Sequence, residues 1–305
     1  MLVDKPAGPT SHDVVAIVRR TMGIRSAGHT GTLDPFATGL LVILLGRATR
    51  LARFVSGQPK RYLATARLGF GTTTDDLLGE PLPPGSRDPG AIRLESLAEA
   101  LGEFVGKGTQ RPPAFSARHV DGERSYRLAR RGVEVELPES DVTIHEMTLV
   151  AQEQDCVTFR VTVSAGTYIR AIARDLGERL GTGAHLTALR REAIGPIEVS
   201  RAVPLAALTR DTPVLSPLDV VAHLPVHELD DVGARAVGHG RSVAATDTDG
   251  TGAEVADAKG VGTEGAGDAD ADRERTVALV FEGRLVAVAS AREGRLHPSV
   301  VLESA

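Results

Sequence analysis

The chain has no tryptophan and only three tyrosines among 305 residues, with aromatics at 3% of the total. A surface that stacks on nucleobases must therefore draw on very few rings, and each tyrosine becomes individually informative. A single cysteine, Cys156, excludes an internal disulfide and any zinc site built on several cysteines. The longest strongly apolar run, Leu40 to Leu45, is far too short to span a bilayer. The first residues lack the basic-then-apolar pattern of a signal peptide, so the sequence predicts a cytoplasmic protein with no membrane association. Neither G-x-x-x-x-G-K nor H-E-x-x-H occurs, and G-F-G at 69–71 is too short for a dinucleotide loop. No metal, nucleotide or redox cofactor is expected.

Positive charge is also in deficit, with a formal net charge of −5. The deficit is local. Between Thr246 and Glu274 stand six aspartates and three glutamates against Lys259 and Arg273. The rest of the chain is slightly basic, and its cations are almost all arginine, whose planar fork suits phosphates and bases better than an ammonium does. Residues 246–274 hold little but Gly, Ala, Asp, Thr and Glu, have almost nothing to bury, and are predicted to be disordered.

What is present elsewhere is 42% apolar, ample for a core. Thr10 or Ser11 reads as the N-cap of a helix that carries Val14, Val15, Ile17 and Val18 and stops at Gly23. The spacing predicts strands at 41–45, 62–68 and 157–164, a short amphipathic helix at 48–55, a loop at 81–90 and a helix at 93–105. Ile169, Ile172, Ala173, Leu176 and Leu180 step at helical intervals. Strands and helices mix without a βαβ rhythm, which predicts an α+β fold rather than a doubly wound sheet. After about residue 222 the pattern changes to short strands at 277–281, 284–290 and 299–302, a small β module interrupted by the acidic insert.

Taken singly, the chemically capable residues have commonplace explanations. An Asp-Pro after a Gly-Thr turn, such as Asp34, is ordinary loop chemistry, and His29 alone would be a loop hydrogen-bonder. Tyr62 at the head of a strand would be a packing residue, and Arg170 a surface charge. Their combination is not commonplace. D-K-P-A-G-P-T-S-H-D-V-V (4–15), G-H-T-G-T-L-D-P-F-A-T-G-L-L (28–41), K-R-Y-L-A-T-A-R-L-G (60–69), R-P-P-A-F-S-A (111–117), G-T-Y-I-R-A-I-A-R-D-L-G (166–177) and G-A-H-L-T-A-L-R-R (183–191) follow in order. From about residue 2 to 220 this closely resembles the TruB family of bacterial tRNA pseudouridine-55 synthases.

The resemblance implies a mixed-sheet catalytic core over residues 1–222 and a PUA or PUA-like RNA-binding module over 223–305. It implies isomerisation of the uridine at position 55 in the tRNA T-loop with no guide RNA, and a monomer is the default expectation. Asp34 matches the catalytic aspartate, Tyr62 the tyrosine that stacks on the target base, and Arg170 the arginine that pairs with the aspartate. Tyr168 and Leu189 match walls of the pocket and His29 the histidine that fills the space left by the everted nucleotide, and Lys5, in the K-P near the N-terminus, is expected among the substrate-binding residues. The stretch 110–138, with Arg118 and Arg127 among six arginines, resembles an RNA-clamping insertion. It departs from the family at Arg118-His119, where a lysine is usual, and at Phe115.

These roles make independent physical sense. A base inside a folded loop is out of reach and must be flipped at a cost of a few kcal/mol, which stacking worth roughly 1–3 kcal/mol per base offsets. A guanidinium beside a carboxylate in a dry pocket favours its charged form. An extended 166–170 would turn Tyr168 and Arg170 to one side, whereas a helix there would make them diverge. Three other readings stand at this level: a tRNA-folding helper without catalysis, a hydrolase pairing Asp34 with Asp75 or Asp76, and a synthase acting on another RNA. Asp34→Asn separates enzyme from helper, and release of free uracil would reveal hydrolysis.

Overall fold

A computed structural model describes residues 1–116, 118–120, 123–133, 137–245 and 275–302, so the acidic insert 246–274 lies outside the described residues. The chain forms two compact units, Met1–Gly46 with Ala52–Val214, and Arg47–Leu51 with Leu215–Ala305.

In the first unit, β1 (Leu2–Lys5) leads to helix α1 (Ser11–Met22), then β2 (Ala27–His29), β3 (Thr38–Leu45), the short helix α2 (Ala52–Ser56) and β4 (Lys60–Leu68). The hairpin of β5 (Phe70–Thr72) and β6 (Pro81–Pro84) follows, then α3 (Leu94–Gly102) and β7 (Gly106–Gln110). Residues 81–84, expected as loop, thus pair as a short strand, at an edge where proline's missing N–H does no harm. Next come the hairpin β8 (His119–Val120) and β9 (Glu123–Arg124), α4 (Ser125–Arg130), β10 (Ser140–Glu153), β11 (Cys156–Val163), α5 (Ile169–Leu180), β12 (Ala184–Ile194), β13 (Ile197–Glu198) and β14 (Val203–Pro204).

Helix α1 starts and stops for local reasons. The side chains of Thr10 and Asp13 each accept from the other's backbone N–H, a reciprocal capping box, and Gly23 closes the helix in the left-handed region. Ten strands make one sheet in the order β14-β1-β3-β12-β4-β11-β10-β7, with β13 on β12 and β2 on β3. Two pairings, β1–β14 and β3–β12, are parallel and the rest antiparallel, so the sheet is mixed and the unit α+β. Strand β4 alternates: Lys60, Tyr62, Ala64, Ala66 and Leu68 are buried, while Arg61 and Arg67 face outward to ion pairs with Glu192, Glu198 and Asp155. The buried side joins β10, β11 and β12 in one core with α3 and α5. Helix α1 packs Val14, Val15 and Val18 against Val3, Ala27, Leu41 and Ile43 in a second core.

In the second unit, α6 (Pro217–Val220), β15 (Val226–Glu228), α7 (Asp231–Gly238), β16 (Val243–Ala244), β17 (Arg275–Phe281), β18 (Arg284–Arg292) and β19 (Arg295–Val301) build a five-stranded sheet, ordered β15-β17-β18-β19-β16. Glu282 and Gly283, both at positive φ, turn β17 into β18 as a two-residue hairpin requires. Arg47 and Arg50 donate to the carbonyls of Leu302 and Val301, which is why Arg47–Leu51 groups with this unit. The five-stranded sheet fits a PUA-like module.

Candidate active site

Residues 30–37 connect β2 to β3 and carry Asp34 near their middle. Many polar backbone groups of this loop have a partner elsewhere. Arg191, fully buried on β12, donates Nε to the Leu40 carbonyl at 2.8 Å, Nη2 to Gly31 at 3.0 Å and Nη1 to Thr32 at 3.4 Å. Ser11 Oγ accepts from the Leu33 N–H and donates back to the Leu33 carbonyl. Lys5 Nζ donates to the carbonyls of Pro6, Pro35 and Ala37 at 2.9, 3.1 and 2.7 Å. Gly39 follows where no other residue fits: its φ is +101°, and a Cβ there would lie 2.3 Å from the Arg191 carbonyl. A loop fastened this fully holds one carboxylate in one place, which is the pre-organisation that a reacting group needs.

The Asp34 carboxylate keeps 32% of its side-chain surface open, while the guanidinium beside it keeps 6%. Arg170 Nε donates to Asp34 Oδ2 at 2.9 Å and Nη2 to Oδ1 at 3.4 Å. Its remaining N–H groups reach the carbonyls of Thr74 and Phe115, both at 2.9 Å, and Asp76 Oδ2 lies 3.7 Å from Nη1. The sheet-like alternation considered for 166–170 does not occur, because α5 begins at Ile169 and Tyr168 is its N-cap. Arg170 reaches Asp34 from the first turn of that helix instead. Gln110 at the end of β7 fixes the cap by accepting from the Tyr168 N–H and donating to its carbonyl.

Tyr62 and Leu189 project from neighbouring strands into the core that also holds Leu33, Ala37 and Ile169. Only 6% of Tyr62 is exposed. His29 is half-buried on the α1 side; its Nδ1 accepts the Gly31 N–H and its ring meets His12 edge-on at 5.4 Å. Burial first, then His12 and Arg191, push the His29 pKa down, so this imidazole is held neutral. Tyr168 is half-buried, and Arg118 is half-buried in the insertion, its carbonyl accepting from the Ser125 N–H. The Arg127 side chain lies outside the described residues.

One expectation needs correction. Lys5 was expected to touch substrate, yet it has no exposed surface and its ammonium is enclosed by three carbonyls. It works on the loop from beneath. Burial pulls its pKa from the usual lysine range down to about 8, against the attraction of Asp34. Lys60, held by the carbonyls of Ser56 and Gln58, is likewise lowered to about 8 by burial and by Arg191.

Sequence reasoning assigned no role to Gln110 or Arg191, and gave Ser11 only that of a possible helix cap. Ser11 and Arg191 stand inside recognisable segments, but a buried cation pointing at carbonyls looks, in a string of letters, like any surface arginine. Asp75 and Asp76, the acids a hydrolase would need beside Asp34, are instead engaged by Arg174 at 3.1 Å and Arg170 at 3.7 Å.

With this geometry in hand, comparisons with known proteins agree among themselves. Residues 19–169 match the model of the "TruB family pseudouridylate synthase (N terminal domain)", and 170–218 that of the "tRNA pseudouridylate synthase B C-terminal domain". A relative called tRNA pseudouridine synthase B from Thermobifida fusca (strain YX) is 42% identical, over 99% of this chain and 97% of its own. Another of that name from Leifsonia xyli subsp. xyli (strain CTCB07) is 50% identical over 68% of this chain and 70% of its own. Among solved structures, one described as a Cbf5-Nop10-Gar1 complex superposes with a TM-score of 0.71 at 25% identity, covering 98% of this chain and 83% of that one.

Proposed function

The chain belongs to the TruB family of pseudouridylate synthases, and from that premise we propose that Asp34, Arg170, Tyr62, Leu189 and His29 form the site where uridine 55 of tRNA is isomerised. The protein is a tRNA pseudouridine synthase: it converts a tRNA uridine to pseudouridine. The reaction breaks the bond from N1 to the ribose C1′ and joins C1′ to C5. C5 gives up its proton, N1 gains one, and the atoms of substrate and product are the same. The overall change therefore needs no oxidant, reductant or group donor.

The observation that carries the assignment is the half-open carboxylate of Asp34 on a buried guanidinium. A carboxylate placed in this way has three chemical uses here: attack on C1′, attack on the ring, or removal of a ribose proton. All three require the nucleotide to be everted first. The everted base stacks on Tyr62 beside Leu189, and the neutral His29 enters the vacated stack. Tyr168 at the cap of α5 forms a further wall, and Arg118 and Arg127 grip the T-stem-loop backbone. The protein works in the cytoplasm as a monomer without guide RNA. No described helix is long and apolar enough to cross a membrane.

The test incubates a T-stem-loop RNA with the protein and maps pseudouridine. Wild type is expected to modify the position equivalent to 55, and Asp34→Asn to lose modification while keeping RNA affinity. An Asp34→Asn protein that still makes pseudouridine would refute the assignment. Modification only of a different RNA would refute the substrate.

A further inference from the structure

Arg170 is not the only arginine of α5 with a double grip. Arg174 lies one turn further along, on the same face of the helix. Its Nη1 donates to Asp75 Oδ2 at 3.1 Å and its Nη2 to the Arg111 carbonyl at 2.9 Å, while Nε bonds Asp175 Oδ1 at 2.9 Å. Arg170 makes the matching pair of contacts, with Asp76 and the Thr74 carbonyl on one side and the Phe115 carbonyl on the other. The same two segments, 74–76 and 111–115, are thus held twice, by two arginines in successive helical turns.

The backbone of Asp75 makes this possible. It sits in the left-handed region at φ +59°, unusual for a residue other than glycine. Its N–H bonds the Thr72 carbonyl and its carbonyl accepts from Leu186 on β12. That conformation lets adjacent carboxylates meet two different arginines. Asp75 and Arg174 are both largely covered, and burial pushes the Asp75 carboxyl upward against the opposing pull of Arg174 and Arg170. A strained backbone carrying a buried acid persists only where its surroundings fix it.

We infer that Arg174, through Asp75 and the Arg111 carbonyl, is a positioning residue that registers the Asp76 loop and the root of the RNA-clamping insertion against α5, and so sets the orientation of Arg170 on Asp34. It touches no reacting atom. The inference rests on the assignment of Asp34 and Arg170 as the reacting pair.

The experiment compares wild type, Arg174→Met, Arg174→Lys, Asp75→Asn, the Arg174→Met/Asp75→Asn double variant and Asp34→Asn on a T-stem-loop RNA. Asn tolerates the left-handed conformation, so the backbone of 75 survives that change. Single-turnover rates at saturating RNA, RNA dissociation constants and melting midpoints are measured for each. Arg174→Met is expected to slow the chemical step by about 10- to 100-fold, the scale of a misplaced reacting group, with RNA affinity little changed. Arg174→Lys should recover part of the rate, and the double variant should be no slower than the worse single one. A lowered melting midpoint with a wild-type rate below it would overturn the inference, as would additive losses or a loss confined to RNA affinity. If Asp34→Asn is inactive while Arg174→Met is normal, this inference alone fails; if Asp34→Asn is active, the underlying site assignment fails.

Discussion

Replacing Lys5 by methionine asks whether the lysine serves RNA or the loop. Methionine fills similar volume but removes an ammonium that satisfies three carbonyls. The Pro35 carbonyl keeps a second donor in the Gly8 N–H at 2.8 Å, so the Pro6 and Ala37 carbonyls are the ones placed at risk. Each costs about 1–3 kcal/mol if left bare, or roughly 2–6 kcal/mol together. Against this, the fall of the lysine pKa to about 8 marks a charging penalty of at most about 3 kcal/mol, which methionine relieves. With that penalty fully relieved, the net runs from about 1 kcal/mol of stabilisation to about 3 kcal/mol of destabilisation, the latter roughly 6–12 °C in melting midpoint for a unit of this size. Catalysis should suffer more than stability, because the loosened carbonyls flank Asp34. A 10- to 100-fold slower chemical step is the expected scale. Calorimetry gives the midpoint, and single-turnover conversion of a T-stem-loop RNA gives the rate. An unchanged rate with a much weaker RNA affinity would show that Lys5 touches substrate after all. An unchanged rate with an unchanged midpoint would show that the carbonyls do not depend on it.

Lys5 and Lys60 also define a pH window. Both pKa values are lowered to about 8 from 10.5, so between those pH values the unfolded chain holds more protons than the folded one. Stability should therefore rise with pH across that window, the burial penalty being present in full below pH 8, and Lys60→Met should flatten the rise in urea titrations. Gly39→Ala combines a positive φ with a contact at 2.3 Å and should cost more than about 3 kcal/mol, read as a lower urea midpoint or loss of soluble protein. RNA affinity should fall steeply as salt rises, since several arginines displace counterions; a flat response measured by filter binding would argue against backbone recognition. Deleting residues 246–274 should leave turnover intact, and a large loss would mean that the acidic insert takes part.

The α+β class, the limits of α1 and the strands at 41–45, 62–68 and 157–164 were legible because each rests on local chemistry: a capping box, a closing glycine, a short apolar run, a two-residue alternation. That Arg170 pairs with Asp34 was legible through spaced motifs that survive as text. Residues 81–84 were misread because pairing with β5 depends on a partner strand rather than on their own prolines. Lys5 was misassigned for a related reason, since a conspicuous lysine near a motif gives no hint of which way it points.

The sequence by itself determined which residues hold reactive chemistry and in what order they come, because side-chain type and spacing are properties of the chain alone. Tertiary structure decided which cations are buried and what they hold. Lys5 and Arg191 come to lie beneath the Asp34 loop, and Arg170 and Arg174 each draw together segments distant along the chain. The physical reason is that backbone carbonyls carry no sequence label. A cation chooses among them only once folding has brought them within about 3 Å and excluded the water that would otherwise bind both.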